Sequence, residues 1–528
     1  MKLFKKLFAV MFALTLVIGL GTRVYADETT QHTITITNSD QVGKHTYEAY
    51  QVFKGDYDAT SKKLSNIQWG AGVNGTAILN AVKADKVTFG ADAANVETAA
   101  DVAKLLGTGT DTDKAKKFAE IVGANLSSTV AGTSTENASP YTISVTGDGY
   151  YFVKDVTPVP TDPTPTAAPH QGDSETRYIL QVVADVEVAA KTGTVNSEKK
   201  VQDINDSDEN PTLSNLQDSA DYDIGDSIPY TLTFTLPANY GDYKTYAVSF
   251  VDDISEGLTF NADAKIYYGD ADTVGKSITF TKAENVWTAA IADLKALTSD
   301  AAKALKGGDV ITIKYTATLN ANAVIGSAGN PNTYHVEYSN NPNGTGTGTT
   351  PDDKNIVFTY KTIFNKVKED GTTALTGADF KLEKKVNGAW VDVIALHTGE
   401  GAINPTKTGD DKGSTFTFSG LDDGDYKLTE TKTPKGYNSI DPIEFTISAT
   451  HDITSDDPKL TALTGTDDAE FVLTPNEPDG SLTGKVVNKE GSTLPSTGGI
   501  GTTIFYVLGG LLVLGSGIVL VARRKASE

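Results

Sequence analysis

From Thr33 onward, apolar residues mostly alternate with polar ones instead of recurring every third or fourth position. Ile34 and Ile36 mark one such run, and Tyr47, Tyr50, Val52 and Phe53 mark a second. Successive side chains of a strand point to opposite faces, so these runs predict β-strands with one buried face. Three segments, 78–82, 96–106 and 115–122, switch to helical spacing. Strands are expected again at 141–145 and 150–153, then a Pro-rich loop over 156–170, then one long apolar strand over 178–188. Further on, strands are predicted at 228–236, 246–251, 258–260, 277–281, 310–319 and 333–338, with a helical segment over 289–305. A Gly- and Thr-rich stretch, 340–351, reads as a linker. Beyond it, short strands at 357–364, 380–384, 415–418, 426–431, 443–447, 471–473 and 485–487 are separated by Gly and Asp turns, the pattern of a β-sandwich. The expected fold is mainly β: three sandwich domains in tandem, at 27–190, 191–354 and 355–490, with helical insertions in the first two.

The two ends follow a different pattern. Lys2, Lys5 and Lys6 precede an apolar run from Leu7 to Leu20, and Val24 and Ala26 place small residues where a signal peptidase reads them. This predicts a signal peptide over 1–26. At the other end, residues 502–522 carry no charge and are long enough for a helix that crosses a bilayer, which takes about 20 residues. Arg523, Arg524 and Lys525 follow, and the positive-inside bias keeps them cytoplasmic.

Composition narrows the function. The chain carries a formal charge of −23, and the two terminal segments contribute mostly basic residues, so the part between them is more acidic still. Such a surface repels nucleic acid and anionic membrane. There is no cysteine, so an exported chain of this kind lacks the usual covalent staple. The six histidines show no metal-ligand spacing and no triad order. Acidic stretches such as 203–208 and Asp410-Asp411 lack the EF-hand pattern and read as solvated turns. No metal or cofactor is expected.

Leu494-Pro495-Ser496-Thr497-Gly498 stands directly before the apolar tail. A pentapeptide of this form, an apolar span and a basic end, in that order, resemble the cell-wall sorting signal of Gram-positive surface proteins. The resemblance implies that a sortase cleaves between Thr497 and Gly498, holds Thr497 as a thioester and passes it to an amine. It also implies a wall-anchored, extracellular protein.

Two lysines are predicted to face a core, where lysine is rare unless paired. Lys366 shares a strand face with Phe364. The segment Tyr426-Lys427-Leu428-Thr429-Glu430 resembles the "E box" of Gram-positive pilins and of collagen-adhesin B-type (Cna-B) domains, Ig-like sandwiches that form a spontaneous Lys–Asn or Lys–Asp amide. Carried over, Lys366 is the nucleophile, Glu430 the acid and Asn488 the acceptor. Burial lowers a lysine's pKa and raises a carboxylic acid's, so a neutral amine can attack while the acid polarises the carboxamide. In the middle domain Lys199 shares a face with Val195 and Val201, whereas Lys200 points the other way. The segment 250–260 resembles the acid-bearing strand of adhesin A-type pilin domains, and alternation favours Asp252 over Asp253. Asn340, in phase with Val336 and Tyr338, completes the second expected trio.

Val186-Glu187-Val188-Ala189-Ala190-Lys191 lies between the first two expected domains. It resembles the pilin motif of major pilins, with Ala-Ala where Tyr-Pro is usual, and the motif's lysine is the amine joined to the next subunit's threonine. The whole arrangement resembles a sortase-assembled backbone pilin. The implied partners are other copies of the chain, pilin-type and housekeeping sortases, ancillary pilins, peptidoglycan and host matrix proteins. A monomeric wall-anchored adhesin or an ancillary pilin shares every feature but the joining lysine. Lys54 in the first domain is a further candidate nucleophile without an identified acid or amide.

Overall fold

The computed structural model describes residues 30–37, 45–61, 63–107, 112–136, 138–156, 170–172, 177–189, 193–342, 346–396, 406–408, 413–466, 471–492 and 500–526. The expected signal peptide, Lys191 and the pentapeptide 494–498 lie outside these residues. The chain is mainly β, and the described residues form six sheets.

The first two sheets are built from β1 (Gln31–Thr37), β2 (Tyr47–Asp58), β3 (Tyr141–Thr146), β4 (Gly149–Asp155), β5 (Arg177–Val182) and β6 (Val186–Ala189). Strands β3, β1 and β6 form one sheet; β2, β4 and β5 belong to the other. Tyr141, Ile143 and Val145 are buried in strict alternation with exposed Thr142, Ser144 and Thr146, as period-two patterning requires. Helices α1 (Gly75–Ala84), α2 (Ala99–Leu106) and α3 (Thr112–Gly123) take up the three segments of helical spacing. Thr98 and Asp101 form a reciprocal capping box that starts α2. The helices press Ile78, Val82, Val102, Leu106 and Phe118 onto Val52, Phe53, Tyr150 and Phe152 of the second sheet.

The long strand expected over 178–188 is two strands. Strand β5 ends at Val182, Ala184 and Asp185 are exposed, and β6 resumes in the other sheet, parallel to β1. Asp185 accepts a hydrogen bond from Thr33 N at 2.7 Å, which fixes the crossing.

Two seven-stranded sheets make up the middle of the chain around one large core. The first contains β7 (Val195–Val201), β8 (Ser227–Thr235) and β10 (Val310–Leu319); the second contains β9 (Val248–Ile254), β11 (Asn330–Ser339) and β12 (Asp353–Phe358). The helix expected over 289–305 is mostly absent among the described residues. Val286–Ile291 is a strand paired with β9, and only short turns of helix follow at Leu294–Ala296 and Asp300–Lys303. Burying Ala289 opposite Phe250 outweighs the helix preference of alanine, which amounts to tenths of a kcal/mol per residue.

The third region consists of two five-stranded sheets. Strands β13 (Tyr360–Lys368) and β16 (Ser481–Asn488) are parallel neighbours in one, and β14 (Asp379–Val386) and β15 (Gly424–Lys432) pair in the other. A helix α4 (Ile500–Lys525), long and apolar enough to cross a membrane, ends in three basic residues.

Middle and third regions meet in a continuous seam. Strand β12 runs to Phe358, past the boundary expected at 354, and only Thr359 separates it from β13. Gly326 and Gly480 touch across the seam with positive φ, and a Cβ on Gly480 would lie 2.4 Å from Gly326 Cα. Buried Lys384 pairs with Asp206 at 2.6 Å, Asp223 at 2.7 Å and Asp422 at 3.2 Å. His451 meets Ser219 Oγ at 2.7 Å and Asp221 at 3.5 Å. The stretch 203–208 is therefore not a solvated turn throughout: Asp203 and Asp206 turn toward these cations.

Candidate functional site

Lys366 and Asn488 come from neighbouring parallel strands, β13 and β16, with Lys366 opposite Val486 and Lys368 opposite Asn488. Glu430 reaches them from β15 in the facing sheet, across the core. All three side chains are fully buried. Lys366 Nζ donates to Asn488 Oδ1 and, at 3.1 Å, to Val486 O. Asn488 Nδ2 donates to both oxygens of Glu430, at 3.0 and 3.2 Å, and Glu430 Oε1 stands 3.8 Å from Lys366 Nζ. Burial pushes the Lys366 ammonium down to about 8 against the opposing pull of Glu430. A fraction of neutral amine is thus present near neutral pH, in contact with a carboxamide that a carboxyl group can polarise. That is the arrangement nucleophilic substitution at an amide requires.

The middle region has a second buried lysine. Lys199 on β7 points inward and Lys200 does not; on β9, Asp252 is buried and Asp253 exposed. Lys199 Nζ lies 2.6 Å from Asp252 Oδ1 and donates to the Tyr315 hydroxyl at 3.0 Å. The rings of Tyr230, Tyr315 and Tyr334 surround the amine at 4.9, 5.4 and 6.0 Å from their centroids. Burial among them lowers the lysine's pKa, with Asp252 opposing.

The structure does not bring Asn340 to this pair, which corrects the expected trio. Asp252 stands opposite Tyr334 on β11, and Asn340 lies six residues further along, just past the strand's end. At about 3.4 Å per residue that is roughly 20 Å away. Asn340 does have the buried phase that alternation assigns to it; phase fixes the face, not the position along the strand. Two other asparagines occupy the site. Asn332 on β11 and Asn355 on β12 are directly opposite one another and fully buried. Asn332 Nδ2 donates to the Tyr315 hydroxyl at 2.8 Å, and Asn355 Nδ2 donates to Lys199 O at 3.1 Å. Each keeps a buried carbonyl oxygen, Oδ1, without a hydrogen-bond donor among the described residues. Sequence reasoning missed Asn355 because it assigned 355 to the start of the third domain. The signal for it is Asn355-Ile356-Val357, an in-facing amide on an apolar strand.

Lys384 differs from both. Its ion-pair partners are three carboxylates, which hold it well above its ordinary pKa despite burial. A lysine so held stays protonated and serves as an ionic tie across the seam. Lys54 is half-buried on β2, at a bulge.

Comparison with known proteins bears on the fold and the anchor. Residues 361–459 match the SpaA family, a prealbumin-like fold domain, and residues 486–528 match the LPXTG cell wall anchor motif. The chain is 26% identical over 606 residues to the trypsin-resistant surface T6 protein of Streptococcus pyogenes serotype M6, covering 97% of this chain and 99% of that protein. The solved T6 backbone pilin of serotype M6 S. pyogenes, a modular three-domain structure decorated with variable loops and extensions, matches with a TM-score of 0.52 at 17% identity. That match covers 89% of this chain and all of the T6 structure. Fold and anchor define a mainly β, wall-anchored protein of the cell surface. More particularly, the likeness along nearly the whole chain is to the T6 surface protein.

Proposed function

We propose that this chain is the repeating subunit of a covalent pilus shaft. A pilin-type sortase joins the Thr497 carbonyl of one copy to the Lys191 ε-amine of another, and a housekeeping sortase transfers the base of the fibre to peptidoglycan. The domain limits 27–190, 191–354 and 355–490 belong to this reading, with the middle unit's last strand running on to Phe358. The protein has no turnover of its own. What carries the proposal is the position of the buried Lys366, Glu430 and Asn488: they close the last sandwich six residues before the sorting pentapeptide begins, so a pull on Thr497 reaches them first.

Each internal bond follows one scheme. Neutral Lys366 Nζ attacks Asn488 Cγ while Glu430 hydrogen-bonds the carboxamide; the Cγ–Nδ2 bond breaks and Nδ2 leaves as ammonia. Glu430 lends a proton to the departing nitrogen and recovers one from the attacking amine, so the products are one amide and one ammonia. In the middle unit Lys199 is the nucleophile, Asp252 the acid and Asn355 the acceptor. Asn355 is preferred because it would tie the unit's opening strand β7 to its closing strand β12, as Lys366–Asn488 ties β13 to β16. Asn332 is the other candidate, favoured by its bond to Tyr315.

The test of polymerisation is a boiled, reduced wall extract. A ladder of high-mass species is expected, and it should vanish in Lys191→Ala. A single band would identify a monomeric adhesin; a persistent ladder in the variant would move the linkage to another lysine. Peptide mapping of the polymer names the amine joined to Thr497, and incorporation at one point of the fibre only would mark an ancillary pilin.

A further inference from the structure

The acid of the middle unit does not act alone. Tyr315, on β10 in the same sheet as Lys199, extends into the site against Tyr230, their rings stacked at 5.2 Å and 14°. Its hydroxyl uses its whole bonding capacity there: it donates to Asp252 Oδ2 at 2.6 Å and accepts from Lys199 Nζ at 3.0 Å and from Asn332 Nδ2 at 2.8 Å. One donor and two lone pairs are all a tyrosine hydroxyl has. Lys366 has no such neighbour among the described residues; there Thr433 Oγ1 donates to Glu430 Oε2 at 3.0 Å and touches only the acid.

We infer that Tyr315 is a further residue of the middle-unit reaction, fixing both the amine of Lys199 and the proton of Asp252 for amide formation. The inference rests on the proposal that Lys199 forms an internal amide. With Oδ2 accepting the tyrosine proton, Oδ1, which accepts from Lys199 Nζ at 2.6 Å, is the oxygen left to take the proton that Lys199 gives up. The proton Lys199 gives up then stays on the side of the carboxyl that faces the reacting nitrogen, ready for the departing ammonia. Burial holds the Tyr315 hydroxyl well above its ordinary pKa, so its own proton remains in place throughout. Asn332, bonded to the same hydroxyl, orients it, which leaves Asn355 free to be acylated. The balance is unchanged: Nζ–Cγ forms, Cγ–Nδ2 breaks and ammonia leaves.

The experiment uses the whole exported chain with Tyr315→Phe, which keeps the ring and its stacking and removes one hydroxyl. Intact mass, followed with time after synthesis at several pH values, reads ammonia loss, and peptide mapping assigns it to Lys199 or Lys366. The wild type should lose two ammonias. The variant should complete the Lys366 bond normally, which certifies its fold, and form the Lys199 bond at least roughly tenfold more slowly, with a shifted pH profile. A Lys199 bond formed at the wild-type rate would overturn the inference. So would a rate lowered equally at every pH, since that is a packing effect. A wild-type protein of full sequence mass would instead overturn the cross-link proposal itself, and failure of the two readings is thereby distinguished.

Discussion

The two buried lysines meet a carboxyl group and an amide in opposite layouts. Around Lys366, lysine and amide share a sheet and Glu430 faces them; around Lys199, Asp252 and both amides share a sheet and the lysine faces them. In the first layout parallel pairing of β13 with β16 sets the contact directly, so the amine already touches the carboxamide. In the second the contact crosses the sandwich, and a ring of tyrosines with Tyr315 at its centre holds the amine on its acid. Strand pairing can thus replace a positioning side chain, and where pairing is absent a side chain must supply the order.

The sharpest way to break this comparison is Glu430→Ala. It should restore one ammonia to the intact mass and leave Lys366 buried without a charged partner. Loss of a link spanning 122 residues should lower unfolding free energy by roughly 4–5 kcal/mol if it acts as a disulfide closing a long loop does. Denaturant titration with mass spectrometry measures both. Asn355→Ala and Asn332→Ala separate the acceptors of the middle unit: the first should abolish the Lys199 bond and the second only slow it. The reverse result would make Asn332 the acylated residue. Lys200→Ala should have the smallest effect on the cross-links, with both ammonias still lost; it leaves the buried Asp218 carboxylate without its cation, so stability should fall by roughly 1–3 kcal/mol.

Between these lies a pH effect at the seam. Burial, then the charge of Asp221, pushes Asp203 up to about 8 and Asp423 up to about 7; burial raises Asp223 to about 6 against Lys384. Burial alone would lower His451, but the hydrogen bond and charge of Asp221 hold it above its ordinary value. Every one of these shifts is upward, so the folded seam binds more protons than the unfolded chain. Its stability is full below the ordinary carboxylate range, near pH 4, and is lost as pH rises through 6 to 8. Hydrogen exchange at β12 and β13 should speed up over that window, and Lys384→Met should steepen the change, because the charge of Lys384 opposes the upward shifts of Asp223 and Asp423.

What alternation could reveal was which way a side chain points. Lys366, Lys199 and Asp252 are inward because Phe364, Val201 and Phe250 on the same strands are inward. What it could not reveal was distance along the partner strand: Asn340 has the right phase and the wrong position, because register depends on pairings between residues far apart in the chain. The same limit hid the break between β5 and β6, which follows from pairing with β1. It also hid the turn of Asp203 and Asp206 toward cations on the other side of the seam. The anchor and the E box were readable because their residues are contiguous.

The single residue between β12 and β13 determines where tension would travel. If Lys191 is the joined amine and both amides form as proposed, a force entering there would cross from β7 to β12 at Asn355, pass Thr359 into β13, and leave through Asn488 toward Thr497. The hydrogen-bonded ladders on either side would never be stretched, and everything before Lys191 would hang beside the line of pull. That leaves the first module free to vary its surface without weakening the thread.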